Sequence, residues 1–125
     1  MVKIMLVDDE TSFSATLGER LQLRGFDVCL AETGEQAISM MAHEAPQVVM
    51  MDLSLPDMSG LEVMEKMKKI DSALEVIVLS GHGAEYRHEA LARGAFNYVM
   101  KPFKLVYLVE LISRAIEHRT ALKGV

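Results

Sequence analysis

Acidic side chains follow two of the strands that the sequence predicts, and their chemistry suits phosphoryl transfer. Asp52 closes the apolar stretch Val48–Asp52, and Pro56, which cannot donate to a ladder, shows that the strand has ended by then. Asp8 and Asp9 follow an earlier apolar run. Carboxylates gathered in one crevice repel each other unless a cation neutralises them, and such oxygen ligands suit Mg²⁺. A carboxylate left free could attack phosphorus and become an aspartyl phosphate.

Ser80 and Lys101 follow the fourth and fifth predicted strands, and their side chains complement the carboxylates. Transfer of a phosphoryl group depends mainly on positioning and on charge stabilisation. The Lys101 ammonium could hold phosphoryl oxygens together with Mg²⁺, and the Ser80 hydroxyl could donate to one of them. Both roles require that the ends of these strands meet at one edge of a sheet.

Short apolar runs alternate strictly with amphipathic helical patterns along the chain, which predicts an α/β fold with a parallel sheet. We expect the common doubly wound, five-stranded arrangement with strand order 2-1-3-4-5 and right-handed crossovers. Its crevice between strands one and three would receive Asp8, Asp9 and Asp52. The predicted strands span residues 2–7, 26–31, 48–52, 75–79 and 96–100. The first predicted helix ends near residue 24 and the second near residue 43. The third begins after residue 59, and the fourth and fifth span residues 84–93 and 104–122.

Capping signals and apolar periodicity support these helices. Thr33 with Gln36, and Ser59 with Glu62, are capping-box sequences. We expect the first helix to face inward with Phe13, Leu17, Leu21 and, as a further candidate, Leu23. We expect the last helix to face inward with Leu105, Leu108, Val109, Ile112 and Ile116.

Tyr107 and Leu111 fall outside the inward stripe of the last helix, four residues apart on one face. A partly covered surface patch would explain them. A contact site for a partner or for a second copy of the chain would explain them equally well, and the sequence leaves both interpretations open.

The composition restricts the class of protein. The 125 residues include 13 basic and 18 acidic side chains, giving a net charge of −5 without a basic stripe, so we expect no nucleic-acid binding by this domain. Cys29 is the single cysteine, which excludes an internal disulfide and predicts a buried structural thiol in a reducing compartment. We expect no signal peptide, and the sequence contains no apolar run of about 20 residues. We therefore expect one cytoplasmic domain, residues 1–125, without membrane association.

Several short motifs carry a resemblance to a known family. They are Val7-Asp8-Asp9-Glu10, Met51-Asp52 with Pro56 and Gly60, Ser80-Gly81, and Lys101-Pro102-Phe103. In this order and spacing, the chain resembles the CheY-like receiver domain of bacterial two-component response regulators over essentially its whole length. The resemblance implies a flavodoxin-like fold and a phosphorylation-dependent signalling function.

The same resemblance implies a role for each acidic residue. Asp52 would be the phosphoacceptor, taking a phosphoryl group from a sensor histidine kinase, a phosphotransfer protein or a small donor such as acetyl phosphate. Mg²⁺, with Mn²⁺ as a substitute, would bind Asp9, Asp52 and the backbone carbonyl of Ser54 directly, and Asp8 through water.

Ser80, Lys101 and Tyr98 would form the phosphoryl-binding and switch group by the same resemblance. On phosphorylation the Ser80 hydroxyl would move toward the phosphoryl group, and Tyr98 would turn inward. The surface formed by the fourth helix, the fifth strand and the fifth helix would then change, with Tyr98, Tyr107 and Leu111 as candidate contact residues. Its partner would be a downstream protein, an output domain of the same protein, or a second copy of the chain.

Ser54 and His82 lie two residues beyond Asp52 and Ser80, at positions where the family varies. The resemblance implies that they line the approach of attacking water and tune the lifetime of the phosphate. The sequence does not fix the direction of that effect.

Two other classes of function compete with a signalling switch. An aspartate-nucleophile phosphatase usually has a second aspartate two residues after the first as general acid, and Ser54 occupies that position here. A degenerate receiver that only binds partners would not need the intact acidic and basic set. We therefore expect a phosphoacceptor that assists its own phosphorylation and dephosphorylation, not an enzyme. It would be either a stand-alone receiver or the amino-terminal part of a longer regulator.

Overall fold

The computed structural model describes residues 1–124 and contains five strands that alternate with five helices. The strands are β1 Lys3–Val7, β2 Asp27–Ala31, β3 Val48–Asp52, β4 Glu75–Ser80 and β5 Asn97–Met100. The helices are α1 Thr11–Leu23, α2 Gly34–Glu44, α3 Gly60–Ile70, α4 Arg87–Ala92 and α5 Leu105–Leu122. No helix within residues 1–124 combines the length and apolarity that crossing a membrane requires.

All neighbouring strands are parallel, and their order β2-β1-β3-β4-β5 confirms the predicted doubly wound sheet. Every residue of β3 and β4 is buried, because helices cover both faces of the sheet. One apolar core lies between the sheet and α2, α3 and α4, and includes Met41, Met64 and Met67. The other lies between the sheet and α1 and α5, and includes Leu21 and Leu108.

Most predicted element boundaries agree with the structure to within about two residues, the usual uncertainty at helix ends. α4 is the exception, because it begins three residues later than predicted, at Arg87. Residues 83–86 form a turn instead, which begins at Gly83 with φ +61°. Leu23 is 87% exposed at the end of α1, and the prediction that it faces inward is wrong.

The two predicted capping sequences form in different ways. At α2, the Gln36 amide donates to Thr33 Oγ1 at 3.0 Å, and the Gln36 side chain accepts from the Glu32 amide at 2.7 Å. At α3, the Ser59 hydroxyl accepts from the Leu61 amide at 3.3 Å. Both the serine and the threonine therefore cap their helices, as predicted. The Gln36 side chain binds the amide of Glu32, one residue before the cap, so the reciprocal bond of a full capping box to Thr33 does not form.

Leu111 does not belong to the outer surface of α5. It is 1% exposed and packs in the core with Leu108 and Ile112, whereas Tyr107 is 45% exposed. The prediction that Leu111 and Tyr107 share an exposed face is therefore wrong. The buried face of α5 is wider than predicted, because it includes Leu111 and Ala115 in addition to the predicted positions.

Cys29 lies on the edge strand β2 and is partly rather than fully buried. Burial raises the pKa of its thiol to about 11, and the nearby Glu44 carboxylate adds to the shift. The thiol is therefore protonated at neutral pH and has little nucleophilic character, which agrees with a structural role.

Candidate functional site

The carboxyl ends of the central strands bring the predicted site residues together. Asp52 is the last residue of β3, Ser80 is the last residue of β4, and Lys101 directly follows β5. Asp8 and Asp9 directly follow β1, which pairs with β3. This is the crevice at which open parallel sheets bind ligands, where the strand order reverses.

Three carboxylates converge at this crevice. One oxygen each from Asp8, Asp9 and Asp52 lies within 4.8 Å of the others. Asp8 and Asp52 are only 4% and 7% exposed, whereas Asp9 is open to solvent. Three negatively charged hard oxygen donors at this spacing fit a divalent cation such as Mg²⁺, which is bound by few protein ligands and keeps several waters.

The local environment of Asp52 shifts the pKa of its carboxyl group upward. Burial raises the pKa of the Asp52 carboxyl above its usual value, and the Asp8 carboxylate raises it further. The Lys101 ammonium and a hydrogen bond from the Ser54 amide to Asp52 Oδ1, at 3.3 Å, oppose this shift. An added cation would act in the same direction as Lys101 and lower the pKa of Asp52, which favours the ionised form that can attack phosphorus.

Lys101 supplies the positive charge of the crevice. Its Nζ lies 3.1 Å from Asp8 Oδ2 and 4.4 Å from the centre of the Phe13 ring, so it forms an ion pair and a cation–π contact. The Phe13 ring meets that of Phe103 edge to face, at 6.3 Å between ring centres. The sequence predicted Phe13 only as a core residue, and its contact with Lys101 was missed.

The two positions predicted to tune phosphate lifetime touch each other. His82 Nε2 and Ser54 Oγ are 2.7 Å apart, and this contact joins the loop after β3 to the loop after β4. The backbone amide of His82 also donates to Ser80 Oγ at 3.0 Å. Because Ser80 Oγ accepts this bond, its own hydrogen remains available for another acceptor.

Tyr98 is turned inward in this structure. It is 1% exposed, its hydroxyl donates to the Gly83 carbonyl at 2.7 Å, and the Arg87 guanidinium lies 5.2 Å from the centre of its ring. The resemblance implied that phosphorylation brings Tyr98 inward, yet the inward position is present here in the chain alone. Tyr98 therefore contributes no exposed side chain to a partner surface in this conformation, which corrects its prediction as a surface contact.

The segment from the end of β3 to the first residue of α3 contains two further residues to which sequence reasoning gave no role. The Asp57 carboxylate accepts hydrogen bonds from the first turn of α2, through the Gly34 and Glu35 amides. Gly60, noted only as part of a motif, packs directly against the backbone of Asp52. No local sequence signal indicates the Asp57 contact, because its partners lie more than twenty residues away.

Comparisons with known proteins agree with this geometry. Residues 4–113 match the family model described as response regulator receiver domain. The chain is 33% identical over 124 residues to the regulatory protein AtoC of Escherichia coli, covering 98% of this chain and 27% of AtoC. It is 35% identical over 125 residues to the probable transcriptional regulatory protein TcrX of Mycobacterium tuberculosis, covering 99% of this chain and 53% of TcrX. The chain thus spans about half or less of these curated relatives.

A solved structure gives the same result for the fold. The response regulator receiver domain protein from Clostridium thermocellum superposes with a TM-score of 0.91 at 29% identity, covering 98% of this chain and 99% of that one. The family match extends over most of the chain and includes the crevice residues. The chain belongs to the response regulator receiver domains of two-component signal transduction.

Proposed function

We propose that this domain is a phosphorylation-dependent switch in which Asp52 accepts a phosphoryl group from the phosphohistidine of a sensor kinase or a phosphotransfer protein. The observation that carries the proposal is the convergence of Asp8, Asp9 and Asp52 in one crevice with Lys101 bound to Asp8. The phosphorylated domain would control an output domain or a separate downstream protein.

The chemistry at Asp52 is a displacement at phosphorus. A carboxylate oxygen of Asp52 attacks, the new oxygen–phosphorus bond forms, and the bond from phosphorus to the donor nitrogen breaks. The donor imidazole keeps the electron pair. Asp8, Asp9, Asp52 and the Ser54 carbonyl would hold Mg²⁺ or Mn²⁺, which supplies positive charge to the phosphoryl oxygens when bound.

Lys101 and Ser80 stabilise the same negative charge from the protein side. The Lys101 ammonium pairs with Asp8 and lies over the Phe13 ring, so these two contacts hold it in place before the phosphoryl group arrives. The Ser80 hydroxyl can donate to a phosphoryl oxygen while it still accepts from the His82 amide. We propose that the domain assists its own phosphorylation and dephosphorylation in this way and does not turn over other substrates.

Mass spectrometry tests the proposed function directly. Incubation with acetyl phosphate and Mg²⁺ should add the mass of one phosphoryl group, and removal of Mg²⁺ by a chelator or the substitution Asp52→Ala should abolish the addition. Asp71→Ala is a suitable control, because Asp71 lies beyond α3 and pairs with Arg119 at 2.9 Å, away from the crevice. Phosphorylation that persists in Asp52→Ala would overturn the proposal.

We further propose that the α4–β5–α5 surface is the output of the switch. Large apolar side chains are exposed on each of its three elements, namely Leu91, Met100, Val106 and Tyr107. Tyr98 lies beneath this surface, and its hydroxyl binds the Gly83 carbonyl in the loop between β4 and α4. Ser80 binds the His82 amide in the same loop, so a change at Ser80 can alter the loop and, through it, the surface.

Self-association through this surface is a testable consequence. Sedimentation with Mg²⁺ and beryllofluoride, a phosphate mimic, should show a larger mass than sedimentation without the mimic. Tyr107→Ser should reduce the change, because it removes exposed apolar area from α5 without opening the core. An unchanged mass at tens of micromolar protein would show that the surface does not join two copies, and a different partner would then have to be sought.

The Ser54–His82 contact is expected to lengthen the life of the phosphate. The pair links two loops beside Asp52, and opening it would give water better access to phosphorus. A hydrogen bond worth about 1 kcal/mol corresponds to roughly a fivefold change in rate, so His82→Ala should speed hydrolysis about fivefold. The loss of phosphate from the acetyl-phosphate-treated protein, followed over time, measures this rate.

Two variants check that the shared contact causes the effect. Ser54→Ala should match His82→Ala, and the double variant should be no faster than either single one, because each removes the same hydrogen bond. His88→Ala, an exposed histidine of α4, should leave the rate unchanged. Slower hydrolysis in His82→Ala would instead indicate that the imidazole activates the attacking water.

A further inference from the structure

The loop that follows the phosphoacceptor is closed on itself at its base. The Gly60 amide donates to the Leu53 carbonyl at 3.0 Å, and Ser54 pairs with Ser59 in an antiparallel bridge. The residues between them form the tip of the loop. Any group that holds this tip therefore also limits the movement of Ser54, whose carbonyl belongs to the proposed cation site.

The tip of this loop is fixed to the start of α2 by the Asp57 carboxylate. Asp57 Oδ1 accepts from the Gly34 amide and Asp57 Oδ2 accepts from the Glu35 amide, both at 2.9 Å. These amides have no preceding helical carbonyl to bind, and the positive end of the helix dipole lies there, so an ionised carboxylate is well placed. The backbone bonds from Glu35 and Gly34 also hold the pKa of the Asp57 carboxyl below its usual value.

The contact is a close fit and not only a polar one. A Cβ added to Gly34 would lie 2.5 Å from Val63 Cγ2 and 2.6 Å from Met58 Cγ, so the first turn of α2 packs tightly against the loop and α3. α2 nevertheless has its own local cap, because the Gln36 amide donates to Thr33 Oγ1. Asp57 is therefore not needed simply to start the helix.

We propose that Asp57 is a positioning residue for the phosphorylation site. Its carboxylate ties the loop that follows Asp52, and that contains Ser54, to the first turn of α2. This proposal rests on the proposed function, because it presupposes a cation site at Asp8, Asp9, Asp52 and the Ser54 carbonyl. Binding and loop position are then linked, and linkage is reciprocal. If the Asp57 bonds favour cation binding, cation binding must strengthen the Asp57 bonds.

The reciprocal effect can be measured in the wild-type chain. NMR-detected hydrogen exchange of the Gly34 and Glu35 amides should slow when Mg²⁺ is added, and slow further with beryllofluoride. The Gln36 amide is an internal control, because it binds Thr33 and not the loop. Equal slowing at all three amides, or no slowing at Gly34 and Glu35, would overturn the proposal.

Variants test the same link from the other side. Asp57→Ala should weaken Mg²⁺ binding, followed by amide shifts, about fivefold, at the low end of measured coupling effects. Asp57→Asn keeps one acceptor oxygen and should fall between wild type and Asp57→Ala. Thr33→Ala removes a different bond from the same helix end and should leave Mg²⁺ affinity unchanged.

The outcomes separate this proposal from the function on which it rests. If Thr33→Ala weakens Mg²⁺ binding as much as Asp57→Ala, the effect comes from the stability of α2, and the positioning role is wrong. Unaltered Mg²⁺ affinity in Asp57→Ala also overturns it, even when Asp52 is phosphorylated normally. If Asp57→Ala does not fold, the wild-type exchange experiment decides. If the wild-type chain binds no Mg²⁺, the proposed function itself is wrong, whatever the role of Asp57.

Discussion

Lys101→Met should slow phosphorylation of Asp52 by acetyl phosphate about a hundredfold, the usual effect of losing one preorganised group that stabilises a transition state. Methionine keeps a similar chain length and can still pack on the Phe13 ring, so the substitution removes mainly the charge. The rate of mass increase at saturating Mg²⁺ measures the effect. A rate within a few fold of wild type would show that Lys101 does not contact the phosphoryl group.

The same substitution should destabilise the chain when Mg²⁺ is absent. Asp8 is buried and would lose the ammonium 3.1 Å away, which leaves a charged group without its partner and costs about 2 kcal/mol. Urea unfolding at neutral pH measures this loss. Saturating Mg²⁺ should restore most of it, because a cation among Asp8, Asp9 and Asp52 replaces the missing positive charge.

The pH dependence of stability gives a third measure of Lys101. Because the pKa of Asp52 is raised in the folded chain, its contribution to stability is present below the unfolded pKa, about 4, and is lost as the pH rises through the folded pKa. Lys101 limits this loss by favouring the ionised carboxylate. Stability of Lys101→Met should therefore fall more steeply than that of wild type as the pH rises toward neutrality.

Lys104→Met is the matched control for all three measurements. It changes the net charge by the same amount three residues away, on an exposed side chain that directly precedes α5. Its phosphorylation rate, its response to Mg²⁺ and the slope of its stability against pH should match the wild type. If Lys104→Met reproduces the losses of Lys101→Met, the cause is net charge and not the position of the ammonium in the crevice.

The order of the elements and the location of the site could be predicted because both depend on local patterns. Residues 48–51 are apolar, and Asp52 and then Pro56 follow them, which identifies a buried strand and its carboxyl end. Once the strands are parallel, their carboxyl ends must lie at one edge of the sheet. Asp8, Asp9 and Asp52 therefore had to meet there, as the structure shows, provided β1 and β3 were neighbours.

The contacts between loops and the width of the buried face of α5 could not be predicted from local sequence patterns. Leu111 was placed outside because the predicted stripe on α5 was narrower than the one that the sheet buries. The contact of His82 with Ser54 depends on the side-chain conformations of two exposed loop residues. The contact of Asp57 with α2 depends on how a loop folds back, which no spacing in the sequence records.

Gly60→Ala should lower the free energy of unfolding by about 3 kcal/mol or more. This value is at the top of the usual cost of forcing an extra carbon into a well-packed region. A Cβ at Gly60 would lie 2.2 Å from the Asp52 carbonyl oxygen and 2.9 Å from Leu53 Cα. Both atoms belong to the backbone, so no side-chain rotation can relieve the contact. Alanine gains at most about 1 kcal/mol of helix propensity over glycine, which is too little to offset it.

The Gly60→Ala effect should extend from stability to the site itself. Relief of the contact requires either α3 to move outward or the Asp52–Leu53 backbone to shift, and the second movement displaces Asp52, the proposed phosphoacceptor. Mg²⁺ affinity should therefore fall together with stability. Urea unfolding and amide-shift titration on the same sample measure both quantities.

Gly81→Ala is the appropriate control, because it makes the same chemical change in the loop after β4. Among the described residues, nothing lies within 4 Å of a Cβ at Gly81, and its backbone needs no positive φ, so its stability should stay within about 0.5 kcal/mol of wild type. Equal stability of Gly60→Ala and Gly81→Ala would mean that the backbone after β3 yields at little cost. The close packing of α3 against Asp52 would then not be what fixes the position of the proposed phosphoacceptor.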